Sequence, residues 1–121
     1  MPEKRSYAPD PKPTKRVKDN AVMRDLHRRG VICVICGNSA SLHHIYPKGQ
    51  GGDDVVDNLV GLCGHGTSGH HGEIEANEVT ARITLGEFIL EERPDFVFYL
   101  QGKLGEEAAR EWLRQKFFLS V

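Results

Sequence analysis

The chain has 121 residues and a formal net charge of −1, with 39% hydrophobic and 27% charged residues. That is the size of one domain and the composition of a folding chain, which excludes a fully disordered protein. No apolar run approaches the ~20 residues of a membrane span, and no apolar stretch follows Lys4 and Arg5, so a cytoplasmic chain with no secretory signal and no membrane partner is expected.

The near-zero charge conceals an asymmetry. Residues 1–30 carry nine Lys and Arg against four acids, which leaves the rest of the chain acidic. A basic arm of this kind suits an anionic partner, with DNA first among them. Residues 1–18 hold Pro2, Pro9, Pro11 and Pro13 among charges and are expected to form a disordered basic tail. A short helix follows, capped by Asp19 or Asn20 and ended by Gly30. Its apolar face is Val22, Met23 and Leu26, and its basic face is Arg24, Arg28 and Arg29.

Val31 to Ile35 reads as a short β-branched strand, and Gly37-Asn38 as a tight turn. Ser41 to Ile45 is a second strand, Pro47 to Gly52 a loop, and Asp53 to Asp57 an acidic, solvated segment. Asn58 to Leu62 is a third apolar run. After the glycine-rich stretch 64–69, a helix is expected from about residues 67–70 through Glu75, with Ser68 as a cap. Residues 78–92 fit a helix, Pro94 breaks it, and Asp95 to Leu104 is apolar without a clear period. Glu106 to Phe117 reads as a helix, with acids in its first turn, bases in its last, and Ala109, Trp112 and Leu113 at helical spacing. Trp112, Phe117 and Phe118 are read as core or interface, and His27 as surface.

The three cysteines, Cys33, Cys36 and Cys63, cannot close a disulfide framework. Five of the six histidines lie between His43 and His71, which points to metal instead. Cys33-x2-Cys36-Gly37 is a zinc-knuckle spacing, and Cys63 supplies a third thiolate. The fourth ligand of a tetrahedral site must then be a histidine: His65, His70 or His71. His70 is favoured over His65, because the excursion through Gly64, Gly66 and Gly69 can bring it back beside Cys63.

His43 and His44 are adjacent on a strand, so their side chains point to opposite faces and two different roles follow. In order, the chain reads Cys33-x2-Cys36, His43-His44-Ile45, Pro47, Gly51-Gly52-Asp53, Asn58-Leu59-Val60, Leu62-Cys63, His70-His71. This order resembles the HNH endonuclease family over roughly residues 31–75. The resemblance implies an α+β fold: a small ββα-metal hairpin and helix with zinc knuckles, flanked by the basic helix and by C-terminal helices. It divides the chain into the tail 1–18, a nuclease domain 19–78 and a helical extension 79–121.

By position, the resemblance implies His44 as general base and Asn58 as the residue that fixes the loop between the strands. His43 and His71 would ligate a catalytic divalent ion, Mg2+, Mn2+ or similar. Cys33, Cys36, Cys63 and His70 would hold a separate structural Zn2+. The commonest family pattern has a cysteine at that last position, after a shorter spacer. The activity implied is metal-dependent hydrolysis of DNA phosphodiester bonds with little sequence preference. Imidazole, with an unperturbed pKa of ~6.5, suits proton abstraction from water, and a divalent ion suits charge stabilisation on phosphate. Arg24, Arg28, Arg29 and Lys48 would contact phosphates without reading bases. Two other readings are a zinc-stabilised module that binds DNA or protein, and a nuclease subunit of a larger, phage-type DNA-packaging or processing assembly.

Overall fold

The computed structural model describes residues 16–65 and 67–119. Residues 1–15 of the expected tail, and Gly66, lie outside them. The chain forms helix α1 (Asn20–Arg29), strands β1 (Ser41–His44) and β2 (Leu59–Leu62), and helices α2 (Gly69–Glu75), α3 (Val79–Glu92), α4 (Pro94–Leu104) and α5 (Glu106–Phe117). The class is α+β, and among the described residues two strands form one antiparallel sheet. None of the described helices is long and apolar enough to cross a membrane.

Local chemistry explains most element ends. The Asp19 side chain accepts from the N–H groups of Ala21 and Val22, and Gly30, at φ 92°, closes α1. Pro94 opens α4 in the first turn, where its missing N–H costs nothing. Ser68 stands at the cap position of α2, but its side chain does not cap the helix. Its Oγ accepts from the His65 N–H at 3.1 Å instead.

The expected strand at residues 31–35 is a single bridge, Ile32 to Ser39, around a tight turn. The reason is the metal-type knuckle within it. Gly37 N–H donates to Cys33 O at 2.8 Å and Cys33 N–H to Asn38 O at 2.8 Å, which folds the segment too sharply to run on as a strand. This turn lies on β2: Val34 N–H donates to Gly61 O at 3.0 Å, and a Cβ at Gly61 would overlap the Ile32 carbonyl oxygen.

In the hairpin, Leu42 pairs with Gly61, His43 with Val60 and His44 with Leu59. The long loop between the strands is tied by Asn58, which is fully buried. Its Oδ1 accepts from Tyr46 N–H at 2.7 Å, and its Nδ2 donates to the carbonyls of Tyr46 and Asp53, each at 3.1 Å. A side-chain amide has one acceptor and two donors for such use, and all of them are engaged.

Asp53 and Asp54, expected to be solvated, are 5% exposed each. They pin remote segments. Asp53 accepts from Tyr99 Oη at 2.6 Å and from Val17 N–H at 2.6 Å, and it ion-pairs with Lys103 at 3.0 Å. Asp54 pairs with Arg16 and accepts from Asp19 N–H at 2.9 Å. The segment expected to be tail is therefore docked from Arg16 onward. Burial works to raise the Asp53 carboxyl, but Tyr99, Val17 N–H and Lys103 outweigh it and hold it below the usual range. Asp54 is likewise held down: Asp19 N–H, His44 and Arg16 override burial.

Both carboxyls therefore titrate lower folded than unfolded. Their stabilisation is complete above the ordinary carboxylate range, about pH 4–5, and is lost as pH falls below that range. Asp53→Asn should flatten this acid limb of the thermal midpoint. At pH 7 it should cost about 3–5 kcal/mol, because it strands the buried Lys103 ammonium. A pH profile parallel to that of the unmodified chain would refute the role of Asp53.

The core runs through both halves of the chain. Ile45, Tyr46, Leu62 and Ile74 from the hairpin and α2 meet Leu85, Ile89, Phe96, Leu100, Leu113 and Phe117 from α3–α5. The Trp112 ring lies 5.5 Å from that of Tyr46, 6.0 Å from Phe96 and 5.7 Å from Phe117. Residues 95–104, whose period is unclear in the sequence, are helical because Phe96 and Leu100 are a turn apart and both fully buried.

Candidate metal centres and active-site cleft

Among the described residues, two groups of side chains that could hold a metal form around the hairpin and α2. In the first, Cys33 and Cys36 come from the knuckle, Cys63 from the end of β2, and His70 from the start of α2. The chain returns from Cys63 through Gly64, at φ 84°, where a Cβ would overlap the Ser68 carbonyl oxygen. His71 N–H then bonds Cys63 O at 2.9 Å.

The Cys33 and Cys63 Sγ atoms each lie 3.4 Å from His70 Nδ1, and the Cys36 and Cys63 Sγ atoms lie 3.7 Å apart. A tetrahedron with metal–sulfur bonds of ~2.3 Å and a metal–nitrogen bond of ~2.0 Å has edges of roughly 3.8 Å and 3.5 Å. The spacing matches those edges and is far beyond a disulfide's ~2.05 Å. The four residues can thus hold a metal such as zinc. Burial acts to raise the Cys33 thiol, but the N–H groups of Cys63, Cys36 and Ile35, and His70, bring it down to about 6. A thiolate is the ligand form, so this environment favours metal. His65 is exposed and outside the group.

The second group is His43, His71 and Glu75. His43 projects from β1 onto α2, where its ring meets His71 edge-on with centroids 4.8 Å apart. Glu75 Oε2 is 3.6 Å from His71 Nε2 and 3.9 Å from His43 Nδ1. These gaps are too long for hydrogen bonds. His71 Nδ1 is buried and has no hydrogen-bond partner among the described residues. Burial first, and then the neighbouring His71, Lys116 and His44, hold His43 down to about 3, so it is a neutral imidazole at neutral pH. Two imidazoles and a carboxylate that converge without hydrogen-bonding one another suit a divalent cation. Glu75 is not among the ligands expected from the sequence, although the four-residue step from His71 along one helix face would have found it.

His44, next to His43, turns to a different partner. Its Nε2 lies 2.8 Å from Asp54 Oδ1, and its side chain is 11% exposed. Asp54 is fixed from the other side by Arg16 and Asp19, so the imidazole is held by an already anchored carboxylate. His43, His44, Lys48, His71, Glu75 and Lys116 line one open cleft of about 310 Å³. Asn58 stands behind this cleft and touches the loop backbone, not the cleft itself. Arg24 is exposed, while Arg28 and Arg29 both lean on Asp25, at 2.5 and 2.6 Å.

No family model, no curated protein and no solved structure matches this chain.

Proposed function

We propose that the chain is a metal-dependent endonuclease of the HNH type that hydrolyses DNA phosphodiester bonds. One observation carries this reading: a carboxylate-held histidine, His44, stands in the same open cleft as a convergent His43–His71–Glu75 set. The hairpin β1–β2 followed by α2 plays the part of the ββα-metal core, and the Cys33, Cys36, Cys63 and His70 group holds a structural Zn2+.

His44 takes the proton of the attacking water, and Asp54 keeps its imidazole in one orientation and favours the imidazolium that forms. Asn58 holds the loop that carries Asp53 and Asp54, and so positions His44 from a distance. His43, His71 and Glu75 would hold a divalent ion such as Mg2+ or Mn2+, which would supply Lewis-acid stabilisation of the charge on phosphate. Lys48 in the cleft, and Arg24, Arg28 and Arg29 on α1, contact backbone phosphates. The two α1 arginines must exchange Asp25 for phosphate, which weakens their share.

Incubation of supercoiled plasmid with the full chain tests the reading. Open-circular product is expected with Mg2+, Mn2+ or a similar ion, and none with chelator. Metal-loaded protein that binds DNA but leaves it uncut under every divalent ion would sink it and favour a binding module.

A further inference from the structure

The last turn of α5 carries two bases, Arg114 and Lys116. Cations at a helix C-terminus complement the helix dipole, and exposure is all that this requires. Arg114 fits that description: it is exposed and paired with Glu111. Lys116 does not. It is half-buried and lines the cleft beside His43, His71 and Glu75. Among the described residues its ammonium has neither a hydrogen bond nor an ion pair.

The backbone beneath Lys116 is held firmly. Leu113 and Phe117, on either side of it, are 1% exposed. Arg82 of α3 donates from Nε to Lys116 O at 2.7 Å and from Nη2 to Gln115 O at 2.6 Å. The same guanidinium lies 4.7 Å from the centre of the Phe118 ring. The turn is therefore clamped by a side chain whose positive charge also presses on the lysine. Burial first, and then Arg82, pull the ammonium below its ordinary range, and Glu75 pulls it back. A cation under that pressure, facing an open cleft, gains from an anion placed there.

We propose that Lys116 contacts the scissile phosphate, with its ammonium bonded to a non-bridging oxygen in the cleft. The inference rests on the nuclease reading above and extends it to a residue of the C-terminal helices. In the reaction the water oxygen bonds to phosphorus and the P–O3′ bond breaks. The water proton goes to His44, and the 3′ oxygen leaves with the electron pair and is protonated by solvent. Negative charge on the phosphate oxygens is rearranged as the water oxygen joins. A cation fixed in advance beside them favours that state over the bound substrate. The helices α3 and α5 then complete the active site as well as the core.

The test uses the full, metal-loaded chain with Lys116→Met, which keeps the stem and removes the charge, and Lys116→Arg, which keeps the charge. Single-turnover cleavage of a short DNA duplex should fall fivefold or more in Lys116→Met and recover at least half of that loss in Lys116→Arg. Mn2+ affinity and thermal midpoint should stay close to those of the unmodified chain. A loss under fivefold, or a loss matched by an equal fall in Mn2+ affinity, overturns the role of Lys116 while leaving the nuclease reading intact. If the unmodified chain cuts nothing, the nuclease reading falls instead. The anion contact is then read from the relaxation of 31P in inorganic phosphate by bound Mn2+. Weaker phosphate binding in Lys116→Met supports the contact, and equal binding removes it.

Discussion

Replacing His44 by alanine is expected to lower DNA cleavage by about 10²–10⁴-fold, the range for loss of a positioned general base. The loss should fall on kcat, since the ring acts on water and makes no contact that holds the duplex. Metal binding should persist, because His43, His71 and Glu75 form their group without His44. The fold should persist too: among the described residues the His44 side chain bonds to Asp54 alone, and Asp54 keeps Arg16 and Asp19 N–H. Single-turnover assays with matched Mn2+ occupancy check this. A rate within threefold of the unmodified chain would remove His44 from the chemistry. Asp54→Asn should give a smaller loss, because the amide can still accept from the ring but no longer favours its charged form.

Loss of the Cys33–Cys36–Cys63–His70 site should have the largest effect on stability. Zinc binding to such sites is worth roughly 10–16 kcal/mol in apparent terms, against the ~5–15 kcal/mol that holds a whole domain together. Apart from the ligands, the knuckle is held by Val34 and Ile35, partly buried against the core, and by the Val34 N–H bond to Gly61 O. Cys33 is its buried member of the core, whereas Ile32 is 63% exposed. Cys63→Ser, or removal of metal by a strong chelator, should lower the thermal midpoint by at least ~10 °C. The loss should be largest around residues 31–40 and 63–71, which the ligands tie together. Hydrogen exchange would locate it there, with α3–α5 better protected by their own buried contacts. An unchanged melt after verified loss of metal would show that the four ligands do not stabilise the fold. A flat exchange pattern would show instead that the chain melts as one unit.

These two expectations draw on different levels of legibility. The ends of α1, the knuckle turn and the return from Cys63 to His70 depend on residues within about ten positions of one another. Their chemistry is local: a carboxylate that caps a helix, a glycine at positive φ, two thiols on one turn. Asp19, Gly30, Cys33, Cys36, Cys63 and His70 could therefore be placed from their spacing, and the structure brings the last four to within metal-binding distance. The two strands were legible as short apolar runs, and so was the separation of His43 from His44, because alternation along a strand is a property of the backbone; their pairing was expected only from the family resemblance.

Other features had no local signature. Asp53 and Asp54 look like a solvated acidic turn until Arg16, Tyr99 and Lys103 arrive from far away in the chain. Their burial depends on those partners and not on their neighbours. The segment 95–104 shows no clean period because apolar side chains stand on more than one of its faces: Phe98 is 68% exposed while Phe96 and Leu100 are buried. Lys116 reads as an ordinary helix-end cation until the packing of α5 against α3 sets it in the cleft. The sequence alone determined the thiol turn at Cys33-x2-Cys36, the return from Cys63 to His70, the caps of α1 and the strand alternation that separates His43 from His44, since each rests on short-range geometry. Only the tertiary structure decided which charges are buried, which carboxylate holds His44 and what faces the cleft from the C-terminal helices, since a charge's role depends on partners that folding brings from a distance.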